Sequence, residues 1–153
     1  MILAHIKHSL RETFPGRASE WALALVLINW AVVIWLNPGV FQGASYKVLA
    51  QMADPETWGW LCLIAGGLRF IVLCINGAWR RSPHWRAFFA FVACFFWFQI
   101  TLGMAQAGTG STGLAVYPVL LFLDSYNVIR AMGEAGASDK THKKRVAVND
   151  HCT

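Results

Sequence analysis

The sequence predicts an all-α membrane protein with four transmembrane helices, both termini cytoplasmic and an amphipathic interfacial helix at the N-terminus. Three observations carry that expectation. Hydrophobic residues make up 56% of the 153-residue chain and charged residues only 14%, against about 25% charged in soluble domains. The apolar residues gather into four runs, each long enough for a bilayer. Lys and Arg are shared very unequally between the segments joining those runs.

The elements follow in order. Residues 1–16 put Ile2, Leu3, Ile6, Leu10 and Phe14 on one helical face, with His5, Lys7, His8, Arg11 and Glu12 largely elsewhere. A basic amphipathic helix on the membrane surface fits this pattern, and so does a frayed terminus. Pro15-Gly16 breaks it. A transmembrane domain follows over 17–132. Its first span, about 18–36, carries Asn29 as an interior polar residue. A tryptophan-rich core and no clear A-x-A site make it a retained helix rather than a signal peptide. Asn37-Pro38-Gly39 is a turn signal. Residues 40–54 fit a short interfacial helix with Tyr46, Leu49, Met52 and Ala53 towards the membrane.

Asp54 as N-cap and Pro55 as first helical residue open the second span, about 56–79. Its stretch Trp58–Trp79 would form about 33 Å of helix, with an indole at each end as in the aromatic belts. Arg80, Arg81 and Arg86 lie in a basic hairpin leading to the third span, about 85–105. That span runs through Phe95-Phe96-Trp97-Phe98 and contains Gln99. An uncharged GTGSTG loop precedes the fourth span, about 114–131, which holds Pro118, Asp124 and Asn127. Residues 133–153, with Lys140, Lys143, Lys144 and Arg145, read as a basic, disordered tail.

Orientation follows from the basic residues. Lys7, Arg11 and Arg17 precede the first span; Arg80, Arg81 and Arg86 lie in the central hairpin; five more follow from Arg130 onward. The two remaining loops hold Lys47 alone. That asymmetry places both termini and the hairpin inside.

The chemistry concentrates on two intramembrane charges. Arg69 lies near the middle of the second span, where a guanidinium costs roughly 2.5–3.5 kcal/mol on insertion scales. The second and fourth spans run in the same direction, and both Arg69 and Asp124 fall about 15 Å along them. They are placed to form an ion pair. Asp124 shares a helical face with Tyr117 and Asn127, and Arg69 shares one with Gly66 and Asn76. Gly66 and Gly67 would let a neighbouring backbone approach. Asn29 and Gln99 complete the expected intramembrane polar cluster. Such a pair marks either an ion path, proton relay or binding site, or a polar clasp fixing which helices pack together. Without a transport motif, the clasp is preferred. An Asp124 displaced towards the interface would need no partner at all.

Other groups offer less. Cys62, Cys74 and Cys94 lie in apolar runs and read as packing residues. All five histidines lie outside the spans, so axial haem ligation lacks its ligands. Arg80, Arg81 and Arg86 could meet lipid headgroups, although topological anchoring already accounts for them. No phosphate-binding loop, nucleophile elbow, metal-spaced set or carboxylate pair is present, so no enzyme, cofactor or metal is expected. The expected partners are the lipid bilayer and, through helix association, further copies of the chain; nucleic acid is not among them.

FPGRASEW at 14–21, GGLRF at 66–70, INGAWR at 75–80 and GLAVYPVLLFLDSYNVIRA at 113–131, in this order, resemble small uncharacterised membrane proteins of bacteriophages and prophages. The likeness covers about residues 10–132. It implies a bacterial inner-membrane location and a non-enzymatic role through helix association, as holin-like permeabilisation or superinfection exclusion. The family has no established reaction, so no catalytic residue is carried over. The alternative is a small transporter or channel subunit using Arg69 and Asp124.

Overall fold

The computed structural model describes the backbone of residues 2–78, 83–108 and 110–150, and the side chains from Gly16 onward apart from those of 76–78, 142 and 144–150. The described residues form five α-helices and no strand: α1 (Ile2–Leu36), α2 (Lys47–Met52), α3 (Pro55–Ala78), α4 (Pro83–Gln106) and α5 (Gly113–Asp150). Four of them contain stretches long and apolar enough to cross a membrane: Gly16–Leu36, Pro55–Ile75, Pro83–Gln106 and Gly113–Thr141.

α1 is two helices joined at Arg17, whose φ of −129° and ψ of 16° are not helical. Pro15 and Gly16 prepare this break, since proline cannot donate to the helix behind it and glycine resists helix formation. Residues before the break are helical. The expected apolar face of that segment falls on side chains outside the described set.

The bundle is built from two close antiparallel pairs, α1 with α3 and α4 with α5. Gly66 explains the first. A Cβ there would lie 2.9 Å from Ile28 Cγ1 and 3.1 Å from the Ala24 carbonyl oxygen, so the α1 and α3 backbones touch. Gly67 faces open space, so only one of the two glycines makes the expected approach.

Each helix turns a seam of three- and four-residue spacing inward: Glu20, Ala24, Leu27, Ala31 and Ile34 on α1; Trp58, Cys62, Ala65, Arg69 and Leu73 on α3; Arg86, Ala90, Ala93, Trp97, Ile100 and Met104 on α4; Asp124, Asn127, Ala131 and Ala135 on α5. This is the spacing of left-handed helix packing. The outer surface is the reverse of a soluble protein's. Phe122 is 74% exposed and Ile129 is 70% exposed, while the buried polar residues are Glu20, Arg69, Arg86, Asp124 and Asn127. Apolar outside and polar inside is what a bilayer solvent demands.

Residues 40–54 depart from the expected interfacial helix. Two 3₁₀ turns, Pro38–Gln42 and Ala44–Tyr46, lead into the single turn and a half of α2. Leu49 is fully buried and fits against Gly103 of α4, while the Trp58 indole donates to the Leu49 carbonyl at 3.1 Å. Phe41 and Tyr46 stack nearby at 5.5 Å. The segment plugs one end of the bundle because Gly103 leaves a hole of leucine size there. Asp54 caps α3 as expected, accepting from the Thr57 amide at 3.0 Å.

The tail is the other correction. α5 continues unbroken through residues 133–150, where disorder is expected. Ala135 is buried, Glu134 is held by Arg86, and His84 Nε2 lies 3.3 Å from Asp139 Oδ1. Those contacts carry the helix past the apolar run, and alanines and lysines of high helical propensity continue it.

Candidate functional site

Among the described residues, two clusters of buried charge lie within the bundle. The first is the pair at mid-depth. Arg69 Nη1 donates to Asp124 Oδ2 at 2.8 Å and Nη2 to Oδ1 at 2.5 Å, a bidentate arrangement with both residues buried. The Trp97 indole donates to Oδ2 at 2.8 Å, and the Asn127 amide reaches Oδ1 at 3.4 Å. Ser19 then donates to the Asn127 side-chain oxygen, Oδ1, at 2.9 Å. Residues from α3, α4 and α5 therefore converge on one carboxylate, and α1 joins the network through Asn127. Asp124 is fully buried, so it does not sit at the interface without a partner.

α3 and α5 are not close neighbours along their backbones. The long arginine side chain bridges the diagonal of the bundle, which a lysine point charge could not do in the same bidentate way. One helical turn or more away, the Trp30 indole donates to the Tyr117 hydroxyl at 3.0 Å, and the Tyr117 ring stacks on Trp97 at 6.2 Å. Polar groups thus continue along α5 on both sides of Asp124.

The second cluster lies at the end of the bundle where α1 breaks. Arg86 Nε donates to Glu20 Oε2 at 3.0 Å, and its Nη2 donates to Glu20 Oε1. Its Nη1 takes Glu134 Oε2 at 2.5 Å. Arg130 Nε lies 3.4 Å from Glu134 Oε1, and Nη1 donates to the Gly16 carbonyl. Arg17 Nη2 stands 3.8 Å from Glu134, and its buried Nη1 has no hydrogen-bond partner. From Asp124 to Glu134 the two clusters are about 15 Å apart along α5.

The expected polar cluster is thus assembled in part. Arg69, Asp124 and Asn127 come together. Asn29 does not: it is exposed on the outer face of α1, because the seam through Leu27 and Ala31 turns position 29 outward. Gln99 is half-buried, one residue off the Trp97–Ile100 seam, and no hydrogen bond joins it to the described cluster. The Asn76 side chain, and Arg80 and Arg81 entirely, lie outside the described residues. Arg86 is corrected outright. At 3% exposure it is buried rather than offered to headgroups, because Glu20 and Glu134 take all three nitrogens of its guanidinium.

Sequence reasoning missed Trp97, Ser19, Glu20 and Glu134. Trp97 is the one donor in the run Phe95–Phe98, which marks it as the residue able to reach a buried carboxylate. Glu20 stands four residues before Ala24 and so continues the α1 seam, a signal that periodicity could have supplied. Cys62, Cys74 and Cys94 are free thiols, with Cys62 packed in the core. No family model, no curated protein and no solved structure matches this chain.

Proposed function

We propose that this chain is a non-enzymatic integral protein of the bacterial inner membrane, of the kind encoded by phages and prophages, acting through helix association in the host bilayer. Both termini are cytoplasmic in this reading, and the helix before Arg17 lies in the membrane interface. The observation that carries it is the inward satisfaction of the mid-depth charges. Arg69 and Asp124 answer each other and Trp97 inside the bundle, while large apolar side chains cover the outside. A bundle so arranged spends its polar groups on its own cohesion and meets lipid, or further copies of itself, with an apolar surface.

Holin-like permeabilisation and exclusion of competing phages are the two activities that fit, although four spans exceed the usual holin number. Induced expression in bacteria, followed by a membrane-potential dye and by plating of challenge phages, tests them. Collapse of the potential identifies permeabilisation. Intact potential with reduced plating identifies exclusion. If neither occurs, the helix-association reading fails.

The second reading, a small transporter or channel subunit, is favoured by the run of polar groups along α5 from Tyr117 through Asp124 and Asn127 to Glu134. Substrate-dependent flux in proteoliposomes, abolished by Arg69→Leu in a variant that still folds, would establish it instead.

A further inference from the structure

Counted over the described residues, the cluster at the α1 break carries more positive than negative charge. Among the described residues it brings together three guanidiniums, Arg17, Arg86 and Arg130, and two carboxylates, Glu20 and Glu134. Arg86 takes Glu20 in a bidentate pair and Glu134 at 2.5 Å. Arg17 and Arg130 share what remains of Glu134, at 3.8 and 3.4 Å. One positive charge is left over, and it falls on these two. Arg17 Nη1 is buried without a hydrogen-bond partner, and a buried charged donor left unanswered is costly.

Two further features make this excess usable. Arg130 donates to the carbonyl of Gly16, the residue just before Arg17, so the two side chains stand beside each other. The Arg130 side chain is 33% exposed, so the pair opens outward on that side. Depth also fits. The α5 span runs from Gly113 to Thr141, and a hydrocarbon core of ~30 Å occupies about 20 residues of helix, reaching Gly133. Glu134 and the start of the first span therefore lie at the edge of the hydrocarbon, and Arg130, within one helical turn of that edge, reaches it with its long side chain. Paired guanidiniums suit a tetrahedral oxyanion, since each presents a planar fork of donors.

We propose that Arg17 and Arg130 form a binding site for a phosphate-bearing anion, with Arg86 and its two carboxylates as the fixed platform behind it. The site takes one phosphate on its open side, at the Arg130 guanidinium, and the anion answers the positive charge left over in the cluster. Lipid headgroups and free phosphate share this chemistry.

The test uses the full chain in phosphatidylcholine nanodiscs, with thermal melting as readout. Phosphatidylglycerol is added to the discs in one arm and inorganic phosphate to the buffer in the other. Binding raises the melting temperature. Stabilisation by phosphatidylglycerol alone assigns a lipid headgroup, and stabilisation by inorganic phosphate assigns the free ion. Arg17→Gln and Arg130→Gln should each weaken the effective binding about fivefold. Lys140→Gln removes the same charge from an exposed position on α5 and should leave the response unchanged. If a glutamine variant fails to fold, Arg17→Lys keeps the charge without the fork and should show an intermediate loss. No response to either anion overturns the proposal. So does a response that survives both arginine substitutions, or one that Lys140→Gln removes equally.

Discussion

Arg69→Leu should cost about 3 kcal/mol of bundle stability, and the double variant Arg69→Leu/Asp124→Leu should recover much of it. The magnitude comes from the geometry. Leucine removes both bonds of the bidentate pair and leaves Asp124 with Trp97 and Asn127. Two interhelical hydrogen bonds in a membrane contribute about 1–4 kcal/mol together. Stranding one member of a buried pair costs about 3–5 kcal/mol in soluble proteins. The two ranges meet near ~3 kcal/mol. Replacing both partners with apolar groups removes the stranded charge, which is why the double variant should lie above either single one. The singles should also differ from each other. Arg69→Leu leaves the Asp124 carboxylate with its Trp97 and Asn127 donors, whereas Asp124→Leu takes from the Arg69 guanidinium both of its bonds to the carboxylate. Asp124→Leu should therefore be the more damaging substitution. Reversible unfolding in mixed micelles with increasing dodecyl sulfate, fitted for all four members of the cycle, measures each quantity. Additive single costs, or an Arg69→Leu protein within about 0.5 kcal/mol of wild type, would refute the idea that the pair holds the bundle together.

Three further outcomes follow from local geometry. Gly66→Ala places a methyl against Ile28 and the Ala24 carbonyl and should destabilise by about 1–3 kcal/mol in the same assay, while Gly67→Ala, facing open space, should not. Asp54 is held below the ordinary aspartate range by the Thr57 hydroxyl and amide. A depressed acid contributes stability above its unfolded value and loses it as pH falls, so the Thr57 amide resonance should move only below the usual aspartate titration, and Asp54→Asn should abolish that movement. Burial, with Tyr117 beside it, pushes the Tyr46 phenol from 10.0 up to about 12. A raised value stabilises below the unfolded value and is lost as pH rises, so the ultraviolet phenolate signal should include a late component near pH 12 that Tyr46→Phe removes.

Much of this architecture is legible in the chain itself, because bilayer thickness is a stern filter on apolar length. The first three candidate spans, Gly16–Leu36, Pro55–Ile75 and Pro83–Gln106, fall within a few residues of the expected ones. The depth match between Arg69 and Asp124 is legible for the same reason: helical rise converts residue number into height. Rotation about the helix axis is harder to read from composition. Asn29 and Gln99 have suitable depth and chemistry, yet one turns outward and the other lies off the seam. Arg86 follows a basic hairpin and so passes for an anchor, and only folding brings Glu20 and Glu134, 66 and 48 residues away in sequence, against it. Leu49 shows the same limit, since nothing local announces the hole above Gly103 that receives it.

The two charge clusters together do what neither does alone. Apolar seams of three- and four-residue spacing tolerate sliding by a turn, because alanine and leucine layers pack almost as well one step along. Lipid supplies no hydrophobic penalty to prevent it. Trp97 and Arg86 stand 11 residues apart on α4, and Asp124 and Glu134 stand 10 apart on α5, so both contacts close only in one antiparallel register. A one-turn slip would separate Arg86 from Glu134 and Trp97 from Asp124 at once. Glu20 binding Arg86 and Ser19 binding Asn127 fix α1 to the same frame, and Arg69 fixes α3. Removing the mid-depth pair should therefore loosen register as well as lower stability. The native Cys94, 3.8 Å from the Ser125 hydroxyl, and a cysteine introduced at Ser125, with the other cysteines replaced by serine, would report it. Their crosslinking should stay specific in the wild-type background and spread to neighbouring positions in the Arg69→Leu/Asp124→Leu protein. Equal specificity in both would mean that the seams alone set the register.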